Sequence, residues 1–141
     1  MSKKTARRER FFQKLSELED RIEFIEKNLG EREEFLVNRI KRKAMYKEFQ
    51  ELAEISADLS AMLVKDSGKC LEDDYSNLEK ASSILGLDED TCYKLKKGNG
   101  LRNVLVHEYN GVIDKQAYES IHEVLLGIKS YASALEKWLK G

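Results

Sequence analysis

The sequence predicts an all-α fold, an antiparallel bundle of three long and two short helices, from three observations. Apolar residues recur at alternating intervals of three and four over most of the chain, the spacing that lays one stripe along a helix. The chain contains no proline, so no helix is forced to end for want of a backbone donor. No segment shows the period-two alternation of a half-buried strand.

The first helix carries Phe11, Leu15, Leu18, Ile22, Ile25 and Leu29, spaced 4, 3, 4, 3, 4. Glu17 with Arg21 and Glu23 with Lys27 add supporting pairs off that stripe. Gly30 is its stop or kink. A second, longer helix is expected from about Glu31 to Leu63, with Leu36, Ile40, Met45, Phe49, Leu52, Ile55, Leu59 and Met62 as its stripe. Neither proline nor glycine interrupts it. Asp66-Ser67-Gly68-Lys69 reads as a turn. Asp73 or Asp74 is placed to cap a short third helix bearing Tyr75, Leu78, Ala81 and Leu85, which Gly86 ends. Asp88 is placed to cap a fourth, which Gly98-Asn99-Gly100 should weaken or bend. Asn110-Gly111 is another break, and Asp114 caps the last helix. Its stripe is Ala117, Ile121, Val124, Ile128, Tyr131, Leu135 and Trp138, spaced 4, 3, 4, 3, 4, 3. Stripes this regular also suit a dimer seam. Residues 1–10 lack periodicity and are expected to form a mobile basic tail on a single domain of residues 11–141.

A length of 141 residues is one domain's worth. A 41% hydrophobic fraction without proline, and with only Cys70 and Cys92, excludes collagen-like, low-complexity and disulfide-scaffold classes. The start of the chain is charged, with no apolar segment behind it and no run near the roughly 18 residues of a spanning helix. Neither a secretory signal nor a membrane contact is expected, and the expected location is the cytoplasm. The net charge is −1, so the molecule as a whole does not attract nucleic acid. Base is nevertheless clustered: Lys3, Lys4, Arg7, Arg8 and Arg10; Arg39, Lys41, Arg42, Lys43 and Lys47; Lys94, Lys96, Lys97 and Arg102. Such patches fit a local anionic ligand; for any one patch a solvated helix face is the plainer and favoured reading.

There are two histidines. His122 lies beside the stripe of the last helix and reads as structural. His107 belongs to Leu101–Gly111, where Arg102, Asn103, His107 and Tyr109 surround a short aliphatic core. On a helix Asn103 and His107 share a face, whereas Arg102 and His107 lie roughly 140° apart. For both to reach one phosphate the helix must end or distort near His107, or the arginine must swing round. The chemistry these types suit is metal-free RNA cleavage. An imidazole can take the proton of a ribose 2′-hydroxyl or protonate the leaving oxygen. A guanidinium can grip the phosphate and stabilise the developing charge. The plainer alternative is a helix end with a solvated histidine and arginine. No H-E-x-x-H, P-loop, G-x-S-x-G or clustered Cys/His motif competes. Asp73-Asp74 and Asp88-Glu89-Asp90 stand where helix caps are wanted, which is a better use for them than metal binding.

Arg102-x-x-x-x-His107-x-Tyr109 resembles the R-x-x-x-x-H-x-Y signature of the HEPN superfamily. Arg102-Asn103, three aliphatic residues, then His107-Glu108-Tyr109 is similar to its HepT-like branch in particular, toxins paired with minimal nucleotidyltransferase antitoxins. The likeness extends to the long second helix from Phe35 to Leu59, the third from Tyr75 to Leu87 and the closing helix from Asp114 to Leu139, about residues 11–139 in all. The resemblance implies a homodimer with the two motifs meeting in a cleft between protomers. It also implies a metal-independent endoribonuclease toxin of a type II toxin–antitoxin pair, needing no cofactor. Arg102 and His107 would be the catalytic pair, Asn103 a supporting residue, and Tyr109 the acceptor of adenylyl groups that silence the toxin. Lys94, Lys96 and Lys97 would flank the cleft and attract RNA. The alternative is a non-catalytic nucleotide- or RNA-binding dimer that serves as the nucleotidyltransferase's partner subunit; a helical scaffold without a ligand is a third reading.

Overall fold

The computed structural model describes residues 3–107 and 113–141. Among these residues the chain is all-α, with six helices and no strand: α1 (Lys3–Asn28), α2 (Arg32–Val37), α3 (Arg39–Asp66), α4 (Asp74–Leu85), α5 (Glu89–Val106) and α6 (Asp114–Lys140). The long stripes do what their spacing implies. Phe11, Leu15, Leu18 and Ile25 of α1, Leu52, Ile55 and Leu59 of α3, and Ile121, Val124 and Ile128 of α6 form one buried core.

Polar pairs along the edges report the packing directions. Arg7 meets Asp66, Lys14 meets Asp58, and Arg21 meets Glu48 and Glu51, so α1 and α3 run antiparallel. Phe11 packs on Trp138 and Glu26 pairs with Lys129, so α1 is antiparallel to α6 as well. At the centre the Tyr131 and Ser60 hydroxyls share a buried hydrogen bond of 2.8 Å. Burial raises the Tyr131 phenol above its ordinary range, and the paired hydroxyl prevents an orphaned polar group in an apolar core.

Three elements differ from expectation. The long second helix is two helices. Asn38 sits in extended backbone (φ −99°, ψ 98°) and its side chain accepts the Lys41 N–H at 2.9 Å, which starts α3 afresh. A short polar side chain that bonds nearby backbone competes with helix continuation without any glycine or proline. The break rotates Ile40 out of the stripe, and it is 84% exposed. Phe35 of α2 is buried, edge-on against Tyr46 and tilted against Tyr118. From Lys3 onward the basic N-terminal stretch is part of α1.

The second difference is that α5 runs unbroken through Gly98-Asn99-Gly100. These glycines serve close packing. A Cβ on Gly98 would stand 2.7 Å from Val124 Cγ1, and one on Gly127 would stand 2.6 Å from Lys94 Cβ. Each of the two antiparallel helices α5 and α6 thus offers a glycine where the other presses in. Gly98→Ala gains about 1 kcal/mol of helix propensity, but overpacking costs about 1–3 kcal/mol. We expect a net loss, seen as a lower thermal unfolding midpoint.

The third concerns caps. Asp73 and Asp88 accept the backbone N–H of Ser76 and Thr91, each at 2.8 Å. Those backbone bonds hold both carboxyls below the usual range. Their contribution to stability is complete above the unfolded carboxyl pKa of about 3.9 and disappears as pH falls through the lower folded value. Asp88→Asn retains a capping oxygen that does not titrate. It should flatten the acid limb of the unfolding midpoint against pH. Asp114, expected to cap the last helix, does not: Ile113 holds the cap position, without a side-chain bond.

Candidate active site

The helix that carries Arg102 and Asn103 ends at the motif histidine, which keeps a helical backbone conformation. Val106 is the last residue of α5 and His107 its C-cap, with φ −81° and ψ −5°. The His107 N–H donates to the Asn103 carbonyl at 3.3 Å. His107 is exposed to solvent. Tyr109, Glu108 and the Asn110-Gly111 break lie outside the described residues.

Arg102 stands on the side of α5 turned toward α3. Its guanidinium donates to Asn103 Oδ1 at 3.0 Å and meets Glu54 Oε1 at 3.4 Å. Its Nε–H is buried without a hydrogen-bond partner among the described residues. Asn103 therefore connects the pair: its side chain receives Arg102 and its backbone carbonyl receives His107. Asn103 thus fixes the arginine head beside the turn that carries His107.

The start of α6 is fastened by α3. Asp114, the first residue of α6, accepts the Tyr46 hydroxyl at 2.5 Å and pairs with Arg42 Nε at 3.5 Å. Arg42 also donates to the carbonyls of Phe35 and Leu36, which ties the α2–α3 break into the same cluster. Burial, then the Asp114 bond, raises the Tyr46 phenol above its ordinary range. One helix thus contacts both α5 and the start of α6: Glu54 meets Arg102, and Arg42 and Tyr46 meet Asp114. Sequence reasoning missed all of these α3 partners. Nothing local distinguishes Glu54 from the other surface acids of α3, and Asp114 looked like a cap.

The three lysines proposed to meet RNA are each engaged. Lys94 pairs with Asp90 at 2.8 Å, Lys96 with Glu79 at 2.5 Å and Lys97 with Glu123 at 2.6 Å. Each bond raises the ammonium above its ordinary range. Lys96 and Lys97 line the outer face of α5, whereas Lys94 presses on Gly127 of α6. His122 is exposed and rests edge-on against Tyr118, with ring centroids 4.8 Å apart. Of the acidic clusters, Asp73 and Asp88 cap α4 and α5, and Asp90 pairs with Lys94. Among the described residues no helix is long and apolar enough to cross a membrane.

The family described as "HepT-like: Ribonuclease HepT-like" matches residues 15–135. Curated relatives agree. A protein of Archaeoglobus fulgidus named as a candidate RNase is 37% identical over 134 residues, 95% of this chain and 96% of its own. A second from the same organism, similarly named, is 35% identical over 104 residues, 74% of each chain. A candidate RNase of Methanocaldococcus jannaschii is 38% identical over 74 residues, 52% of this chain and 85% of its own. No solved structure matches the chain.

Proposed function

From the premise that this chain belongs to the HepT-like ribonuclease family, we propose that it is a metal-independent endoribonuclease whose chemistry is carried by His107 and Arg102. The observation that supports this most is Asn103, whose side chain receives the Arg102 guanidinium and whose carbonyl receives the His107 N–H at the end of α5, so that the long arginine side chain can swing toward a phosphate held by His107.

In this reading the RNA phosphate sits between the α5 terminus and the arginine head. The His107 imidazole takes the proton of the 2′-hydroxyl, whose oxygen attacks the adjacent phosphorus. The bond from phosphorus to the 5′ oxygen breaks, and that oxygen takes up a proton from an imidazolium or from water. Arg102 neutralises the charge that gathers on the phosphoryl oxygens. The products are a 2′,3′-cyclic phosphate and a 5′-hydroxyl. The nucleophile is supplied by the substrate and its base by the protein, so no metal-bound hydroxide is needed. DNA lacks the nucleophile.

The protein acts as a homodimer in the cytoplasm, where pairing two motifs across a two-fold axis doubles a sparse catalytic set. Its partner is a minimal nucleotidyltransferase antitoxin, and Tyr109 is the adenylyl acceptor. A bulky anion two residues past His107 would compete with RNA for Arg102 and cover the imidazole.

The test is incubation of the purified protein with RNA and with DNA of the same sequence in EDTA. RNA should be cut and DNA left intact. Activity abolished by EDTA and restored by Mg²⁺ would overturn the mechanism. Co-expression with the cognate nucleotidyltransferase should add mass in units of AMP to the wild type and none to Tyr109→Phe. A monomer at micromolar concentration in light scattering would overturn the dimer.

A further inference from the structure

We propose that the groove along the outer face of α5 holds the bases of the single-stranded RNA leading to His107, with Tyr93 and Tyr75 as stacking platforms. This deepens the ribonuclease reading above and rests on it. The groove has a volume of about 520 Å³ and is lined by Tyr75 of α4, by Tyr93, Lys96, Lys97 and Gly100 of α5, and by Ile113 at the start of α6.

Its composition is what a single strand requires. Tyr93 is 57% exposed and Tyr75 40% exposed. Aromatic rings held open beside cationic side chains stack bases and track the backbone, with little dependence on sequence. The bases of an A-form duplex are stacked and paired and cannot use such rings. Gly100 lies on the floor: a Cβ there would stand in ordinary contact, 3.4 Å from the Tyr75 hydroxyl, and only a longer side chain would fill the groove.

Helical arithmetic connects this groove to the motif. His107 follows Lys96 by eleven residues and Gly100 by seven, within about 20° of both around the α5 axis. It lies about 40° from Tyr93 and about 21 Å further along. A strand laid on the tyrosines therefore runs toward the imidazole, while Arg102 approaches from the α3 side. Lys96 and Lys97 are engaged by Glu79 and Glu123, which offsets their field. Stacking rather than charge should supply most of the affinity, so binding should weaken only gently with salt.

The experiment uses the full chain carrying His107→Ala, so that RNA is not consumed, and a fluorescein-labelled single-stranded RNA read by anisotropy. Tyr93→Ala should weaken binding roughly 5- to 150-fold, and Tyr93→Phe should retain it. Gly100→Leu, which fills the groove, should weaken binding without lowering the thermal unfolding midpoint. In the His107-containing chain the same changes should raise KM more than they lower kcat. If the wild type cuts RNA and Tyr93→Ala and Gly100→Leu bind and cut equally well, the groove is refuted and the ribonuclease reading stands. If the wild type neither binds nor cuts RNA, that reading fails first. If Tyr93→Ala changes only self-association in sedimentation, the face is a protein interface and the proposal is wrong.

Discussion

Replacing His107 by alanine should slow RNA cleavage by about 10²–10⁴-fold, the usual contribution of a positioned acid–base group. The fold should not notice. The side chain is exposed, and the turn it occupies is closed by its backbone N–H on Asn103. A surface change of this kind stays within about 0.5 kcal/mol. Arg102→Ala should lose about 10²–10³-fold by removing the donor to the transferring phosphate. Arg102→Lys should not restore it, because an ammonium cannot reproduce the forked contacts that meet Asn103 and Glu54 at once. Single-turnover rates beside thermal unfolding curves check all three. A His107→Ala protein that still cuts at near the wild-type rate removes this residue from the chemistry.

Leu59→Ala should be the most damaging change to the fold. Leu59 has no exposed surface and lies at the middle of the core shared by α1, α3 and α6. Deleting a buried isobutyl group and leaving a cavity costs about 2–5 kcal/mol, a large share of the roughly 5–15 kcal/mol that stabilises an ordinary domain. The unfolding midpoint should fall by about 10 °C. Ile40→Ala is the matched control. The apolar spacing assigned Ile40 to the same stripe, yet it is 84% exposed, so its loss should stay within about 0.5 kcal/mol. Urea unfolding of the two variants separates the stripe read from spacing from the stripe that is packed.

That contrast shows what was legible. Helices α1 and α6 carry unbroken alternations of three and four, and both form where the spacing put them. The Asp73 and Asp88 caps act locally, through a backbone N–H three residues on, and were readable for that reason. The break at Asn38 was not, because one polar cap among good helix formers leaves the apolar period almost intact. Gly98 was misread from local propensity; its role comes from Val124, 26 residues further along the chain. The same division runs through the candidate site. Arg102, Asn103 and His107 stand together in one motif. Glu54, Arg42 and Tyr46 reach Arg102 and Asp114 only because α3 packs beside them, and no spacing within the chain announces such pairings.

The central claim is that the substrate's own 2′-hydroxyl is the nucleophile and His107 its base. It is tested most directly with two RNA oligonucleotides in EDTA, identical except for a single 2′-deoxy sugar at the mapped cleavage site. The account predicts that the wild type cuts the all-ribose strand to a 2′,3′-cyclic phosphate and leaves the deoxy-substituted strand whole at that position, with His107→Ala cutting neither. Cleavage of the deoxy-substituted strand at the same bond, or products ending in a 3′-hydroxyl, would contradict it.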